Sequence, residues 1–219
     1  MQASRLVVAI LLAGISAISQ AAITTYTDRP TWLAATGGVP TVLTFEDYAL
    51  SSWSTGSAGP KALYNSQGID FLPFPSGAYP LVQEGSGANT TSGTHWLGNF
   101  PSTGFNETNN AIQFSFLGPI RSFGLYDVGS DDGYKVRAYD ASNNLIGTGD
   151  VQEISGQPRF WGFIASGNIA RVSITPVTGN GYIGLDNLQY AVPEPSTWAV
   201  MAAGLVLIAS GTVRARKRG

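Results

Sequence analysis

Few side chains in this sequence are of the types that enzymes use as nucleophiles or general bases. His95 is the only histidine and cysteine is absent, which excludes thiol nucleophiles and disfavours a zinc site of the usual ligand types. No G-x-S-x-G elbow is present, and His95, in SGTHWLGN, is predicted to be an ordinary loop residue. The carboxylates that a glycosidase would need are available at Glu46, Glu84, Glu107 and Glu153. Pairs of this kind occur in any acid-rich domain, so we predict a non-enzymatic protein, with a secreted glycan hydrolase as the less favoured alternative.

Two groups of acidic residues have the composition of a calcium site, because Ca²⁺ prefers about six to eight oxygen ligands. In the first, Glu46 and Asp47 end the first core strand, and Asp186 lies in the last strand. First and last strands of a jelly roll often run side by side, which would bring these carboxylates together. The second group, in YDVGSDDGY, comprises Asp127, Asp131 and Asp132. The alternative for both groups is that the acids bind backbone N–H groups in turns.

Aromatic residues in polar, glycine-rich stretches are candidates for stacking on sugar rings. Trp53 and Trp96 are the main ones, and Tyr64 is of the same kind. Loop aromatics also commonly cover the end of a sandwich core, and this alternative stays open. Trp161, in RFWGF, is predicted to lie in the core instead. The sequence therefore offers a carbohydrate-binding module, stabilised by calcium, as a second functional hypothesis.

The spacing of apolar residues predicts an all-β protein with one short helix. In TDRPTWLAAT, Thr27 or Asp28 can cap a helix, Pro30 suits its first turn, and Gly37 can end it. Beyond it, short segments alternate apolar and polar residues with a period of two, as in NAIQFSF, YKVRAYD and IARVSITPV. No long amphipathic helix separates them, so the pattern indicates an antiparallel β-sandwich, jelly-roll-like in topology.

Both ends of the chain have the composition of targeting segments. Residues 1–21 contain Arg5, an apolar run and small residues, which is the pattern of a cleavable secretory signal. The uncharged stretch 198–213 would span about 24 Å as a helix, slightly less than the hydrocarbon core. Trp198 stands at its outer edge, where indole favours the interface. The basic residues of the tail 214–219, which favour a cytoplasmic end, are Arg214, Arg216, Lys217 and Arg218.

Residues 192–219 resemble the sorting signal of PEP-CTERM proteins, in which a Pro-Glu-Pro motif precedes a short transmembrane helix and an arginine-rich terminus. The residues that carry the resemblance are Pro193, Glu194, Pro195, Ser196 and Thr197. It implies export in a Gram-negative bacterium, a transient inner-membrane anchor and cleavage by an exosortase. It also implies delivery to the cell surface or extracellular matrix, in association with exopolysaccharide or biofilm.

The predicted ectodomain, residues 22–191, is more loosely similar to the sandwich domain common among PEP-CTERM proteins. The segments that carry this likeness include TFED, VRAYDASNNLIGTG and IGLDNLQY. They are strand and turn patterns without catalytic residues, so the likeness implies a lectin-like fold and no established activity.

Charge disfavours nucleic acid as a partner of the ectodomain. Of twelve lysines and arginines, Arg5 and the four of the tail lie in the end segments, which leaves seven. Of fourteen acids only Glu194 is removed, which leaves thirteen and a net charge of −6. A domain of this charge repels a polyphosphate.

Overall fold

The computed structural model describes residues 23–47, 64–73, 80–84, 90–99, 111–128, 133–152, 157–177 and 183–192. These residues form one α-helix, α1 (Arg29–Thr36), a single 3-10 turn (Asn65–Gln67) and ten strands. The strands are β1 (Ile23–Tyr26), β2 (Thr41–Leu43), β3 (Ile69–Leu72), β4 (Leu81–Glu84), β5 (His95–Gly98), β6 (Ile112–Asp127), β7 (Tyr134–Tyr139), β8 (Leu145–Val151), β9 (Arg159–Pro176) and β10 (Gly184–Ala191).

The long strands β6 and β9 pair antiparallel and belong to both halves of the fold. Residues 112–115 of β6 pair with 171–174 of β9, and the register then shifts between Ser115 and Ser122. In this half the order is β3–β6–β9–β7–β8. Beyond the shift, β10 and β1 flank the same two strands. All of the pairings are antiparallel, so the predicted all-β sandwich is confirmed; its finer jelly-roll topology stays a prediction.

The two halves pack closely because β8 carries glycine where it meets the other sheet. A Cβ atom at Gly149 would lie 2.5 Å from Phe163 Cε1, and one at Gly147 would lie 2.5 Å from Ile23 Cγ1. Phe123 and Phe163 are cross-strand neighbours on β6 and β9 beyond the register shift, and their rings stack with centroids 4.8 Å apart. Residues whose inward orientation the alternation predicts are fully buried, including Ile112, Phe114, Val136, Ala138, Val172 and Ile174.

Helix α1 forms as its sequence predicts. Asp28 is the N-cap, and its carboxylate accepts a hydrogen bond from the Thr31 backbone N–H at 2.9 Å. The Thr31 hydroxyl, and then that N–H, lower the pKa of Asp28. The cap therefore stabilises the fold above the unfolded-state pKa of about 3.9, and this contribution is lost as the pH falls through the lower folded-state pKa. Gly37 ends the helix in the left-handed region, at φ 71°.

Strand β2 pairs with β10 in antiparallel register, with Leu43 opposite Leu188 and Thr41 opposite Tyr190. The expectation that the first core strand and the last strand are neighbours is therefore confirmed. This pairing directs Glu46, just beyond β2, toward the region in which Asp186 lies. The chain segment between them is residues 90–95, described below.

Within the described residues no helix has both the length and the apolar character needed to span a bilayer. The predicted signal peptide, the motif 193–197 and the apolar segment 198–213 with its basic tail lie outside the described residues.

Candidate functional site

One face of the sheet β3–β6–β9–β7–β8 points away from the core and is polar. Its residues alternate with the buried ones of the same strands, and the register sets Gln113, Ser173, Arg137 and Thr148 in one cross-strand row. The next row contains Ser115, Arg171 and Tyr139. We call this surface the basic face; it is polar apart from Leu72 and Leu145, Ser173 is buried within it, and its other members are Asp70, Gln113, Ser115, Lys135, Arg137, Tyr139, Thr148, Asp150, Arg171 and Thr175.

Arg171 is fixed at the centre of the basic face. Its guanidinium carbon lies 3.8 Å from the centroid of the Tyr139 ring, a cation–π arrangement. Its Nη1 donates to Gln113 Oε1 at 3.0 Å, and its Nε donates to Asn143 Oδ1 at 3.1 Å. Asn143 reaches it from the β7–β8 turn, where its backbone adopts φ 64°. The side chain is therefore held in one geometry by residues of two neighbouring strands and a turn.

Arg137 and Lys135 extend the positive charge along β7. Arg137 Nη1 donates to Thr175 Oγ1 at 2.8 Å, and that hydroxyl donates to the Lys135 carbonyl at 3.3 Å. Lys135 Nζ lies 3.5 Å from Asp150 Oδ1, with both side chains substantially exposed. An exposed pair of this kind contributes little to stability. Among the described residues, neither Arg137 nor Arg171 forms a salt bridge with a carboxylate.

A second polar cluster holds residues 91–95, which precede and begin β5, against β10. Asp186 has no exposed surface, and its Oδ2 accepts from the backbone N–H groups of Thr91 at 2.7 Å and Ser92 at 3.0 Å. Its Oδ1 accepts from the Asn187 N–H at 2.6 Å. The hydroxyls of Thr91 and Ser92 add bonds to the same carboxylate. One buried charge is thus satisfied by donors from two segments far apart in the chain.

Glu46 holds the other end of that segment. Its Oε1 accepts from the N–H groups of Thr94 at 3.0 Å and His95 at 2.7 Å. A Cβ atom at Gly93 would lie 2.1 Å from Glu46 Cδ, so the carboxylate packs on bare backbone there. Glu46 and Asp186, which the sequence predicts to meet, bind opposite ends of the segment 91–95. We call Glu46, Asp186 and residues 91–95 the carboxylate clamp.

The carboxylate clamp only partly fits a calcium ion. Glu46 Oε2 accepts no hydrogen bond from the described residues and lies 3.7 Å from His95 Nδ1, so it offers a free ligand oxygen. Both oxygens of Asp186 already accept N–H groups, and Asp47 is exposed. In the described part of the chain no three His, Asp or Glu side chains are grouped to hold a metal. Calcium at this place stays a prediction.

The other residues predicted for a site are distributed as follows. Asp127 is buried at the end of β6, whereas Asp131, Asp132 and Trp53 lie outside the described residues. Trp96 is only 6% exposed and belongs to β5, so the prediction that it presents its ring to a glycan from a loop is wrong. Trp96 lies on the face of β5 opposite to Leu97, which belongs to the core cluster, and its indole is nevertheless covered.

Two further sequence expectations are corrected by the structure. His95 begins β5 and is half-buried, with Nδ1 3.2 Å from the Phe45 carbonyl oxygen, so it is not a loop residue. Tyr64 is fully buried and meets Phe45 edge-on. Trp161 is buried in the core, as predicted.

Sequence reasoning missed the central residues of the basic face. The alternation in YKVRAYD and IARVSITP predicts that Arg137 and Arg171 point outward, but each segment alone is an ordinary amphipathic strand. Only the pairing of β7 with β9 sets Tyr139 opposite Arg171.

No family model matches the chain, and no curated protein matches it. Among solved structures, the K2 cleaved adhesin domain of Lys-gingipain (Kgp) aligns with 70% of this chain and 100% of its own length, at 13% identity and TM-score 0.45. The K1 cleaved adhesin domain of the same protein from Porphyromonas gingivalis W83 aligns over 71% and 99%, at 15% identity and TM-score 0.40. A point mutant of the family 29 carbohydrate-binding module CBM29-2 aligns over 56% and 90%, at 13% identity and TM-score 0.37. Because the scores are low, the fold assignment rests on the strand pairing.

Proposed function

We propose that this protein is a non-enzymatic glycan-binding protein of the cell surface or extracellular matrix, and that the basic face is its binding surface. The observation that carries the proposal is the set of hydrogen-bonding side chains fixed around Tyr139 and Arg171. Hydroxyl, amide and guanidinium groups lie side by side there with an aromatic ring. This is the combination that recognises sugar hydroxyls and ring faces.

Preorganisation supports a binding role for this surface. Arg171 is already held by Gln113, Asn143 and Tyr139, so little side-chain entropy is lost when a ligand arrives. The sheet beneath it packs on the core, with Phe114, Val136 and Val172 fully buried on the opposite side. By contrast, the buried acid Asp186 and the neighbouring Glu46 are occupied in holding backbone N–H groups, which is a structural use of carboxylates.

The proposal is tested by migration of the full chain, in mild detergent, through native gels that contain dextran, β-glucan or alginate. At least one polysaccharide is expected to retard the protein. Tyr139→Ala is expected to weaken that retardation about tenfold, because truncation of a central interface aromatic typically costs more than about 1 kcal/mol. Tyr26→Ala, in β1 of the other half, is the matched control. Absence of retardation by every polysaccharide, or equal loss in both variants, would contradict the proposal.

We further propose that the chain reaches its destination as a PEP-CTERM protein. On this proposal an exosortase cleaves at or near residues 193–195 after the segment 198–213 has anchored the chain in the inner membrane. Pro193 and Pro195 restrict φ and remove two N–H donors, which keeps the segment extended and unpaired for a protease. The last strand, β10, ends at Ala191, two residues before the motif.

Processing is tested by the intact mass and cell fraction of the native protein. The wild type is expected to yield a product that ends near Val192 outside the inner membrane. A variant with Pro193 and Pro195 changed to alanine is expected to stay at full length in the membrane fraction. If both proteins remain intact and membrane-bound, the segment is an anchor and the exosortase proposal falls.

A further inference from the structure

We propose that the ligand of the basic face is an acidic polysaccharide, whose carboxylates bind Arg137 and Arg171. This inference deepens the proposed glycan-binding function and depends on it. It names the chemical class of the glycan and the two side chains that select it.

The first observation is the distribution of charge. The ectodomain has seven basic and thirteen acidic side chains, yet Lys135, Arg137 and Arg171 lie on adjacent strands of one face. The acids of that sheet lie at its margins, with Asp150 on β8, Asp70 on β3 and Asp140 in the turn after β7. The charged side chains of the middle strands β9 and β7 are all cationic. At physiological salt the screening length is about 8 Å, so acids farther than this from Arg137 and Arg171 contribute little to the potential at the two guanidinium groups.

The second observation is that both arginines retain donors and, within the described ranges, lack a carboxylate partner. An arginine has five N–H donors. Arg171 uses three of them on Asn143 and Gln113, and Arg137 donates one to Thr175. Arg137 lies opposite Ser173, two residues along β9 from Arg171, which makes the two arginines diagonal neighbours. Like charges at this spacing repel, and an anion that contacts both would relieve the repulsion.

The third consideration favours a polysaccharide over a nucleic acid. Duplex DNA carries about one charge per 1.7 Å and is bound through many phosphate contacts. Three cations on a domain of net charge −6 are too few for that mode. They suit a polymer whose charges are sparser and whose neutral hydroxyls can meet Gln113, Thr148 and Thr175. Ring faces of such a polymer can pack beside Tyr139.

The test compares alginate, a polyuronate, with neutral dextran in the native gels, using the full chain in mild detergent. Wild-type protein is expected to be retarded more strongly by alginate, and salt raised from about 50 to about 500 mM should weaken this retardation. Arg171→Gln and Arg137→Gln are each expected to reduce alginate affinity about tenfold, the size of one lost charge-assisted hydrogen bond. Arg171→Lys should retain part of the affinity. Arg159→Gln, at the start of β9 in the other half, is the control.

The outcomes separate this inference from the function on which it rests. Binding of dextran and alginate alike, unaffected by Arg171→Gln and Arg137→Gln, would leave glycan binding standing and overturn the acidic class. No retardation by any polysaccharide would overturn both. A short DNA duplex that competes as well as alginate at equal charge would mean general polyanion binding and also overturn the inference. A melting temperature within a few degrees of the wild type shows that a variant is folded. If Arg171→Gln does not fold, the alginate affinity of Arg137→Gln alone tests the inference.

Discussion

Replacing Asp186 by alanine is expected to destabilise the domain by about 2–4 kcal/mol. The carboxylate is completely buried and accepts the N–H groups of Thr91, Ser92 and Asn187. These hydrogen bonds are part-buried, and a donor left without an acceptor costs about 1–3 kcal/mol where water does not replace the carboxylate. The loss therefore comes from several donors at once, which places it among the largest effects of a single substitution.

In the Asp186→Ala variant, unfolding is expected to begin locally, at residues 91–92. With Asp186 removed, residues 91–92 are no longer bound to β10, so their amide hydrogens should exchange faster than those of β6 and β9. Chemical unfolding gives the free-energy change, and hydrogen exchange gives its location. Asp186→Asn should also be costly, because its amide NH₂ would face N–H donors.

Asp150→Ala provides the matched control, because Asp150 is exposed and its contact with Lys135 is 3.5 Å long. A change within about 0.5 kcal/mol is expected there. Equal destabilisation by Asp150→Ala and Asp186→Ala would mean that the carboxylate clamp does not stabilise the fold. Chemical unfolding of the wild type with added Ca²⁺ tests the calcium prediction, since an ion bound to the native state raises its stability.

Adding one methyl group at Gly162 is expected to destabilise the protein by about 2–4 kcal/mol. A Cβ atom there would lie 2.3 Å from Trp32 Cδ1 and 2.8 Å from Phe160 Cε1. Trp32 has no exposed surface, and its ring centroid is 5.3 Å from that of Phe160. The indole is the main contact of α1 with the sheet, so it must be displaced, and the helix shifts with it.

A double-mutant cycle isolates this clash. Gly162→Ala should cost much less in a Trp32→Ala background, where the methyl group enters the space left by the indole. Gly118→Ala is the control, since a Cβ atom there has nothing within 4 Å; it is expected to be neutral or slightly stabilising. If Gly162→Ala costs the same in both backgrounds, contact with Trp32 is not the cause.

Local signals predicted much of the framework. The N-cap, proline and terminal glycine define α1 because helix ends are decided by hydrogen bonds within a few residues. Alternation in β7 gave the inward positions Val136 and Ala138, since the side-chain period of a strand is a local property. These predictions needed no knowledge of neighbours.

Contacts between distant segments were predicted only where topology limited the choice. The adjacency of β2 and β10 was predicted correctly, and it led to Glu46 and Asp186, which bind opposite ends of the segment 91–95. The segment that they hold, 91–95, was not foreseen, because its serine and threonine residues are typical of any polar connection. The same polar composition led to the wrong prediction that Trp96 and His95 lie in a loop. Both lie on β5, a strand of only four residues that follows a polar segment.

The sequence by itself determined the strand faces, the single capped helix, the absence of cysteine chemistry and the predicted targeting segments, because each follows from residue type or short-range spacing. The tertiary structure alone decided that Arg137, Arg171 and Tyr139 meet, that Asp186 binds Thr91, and that Gly162 accommodates Trp32. These contacts depend on the register between strands far apart in the chain. Register is set by how the buried faces pack together, and a shift of one residue would turn every side chain of a strand to the opposite face.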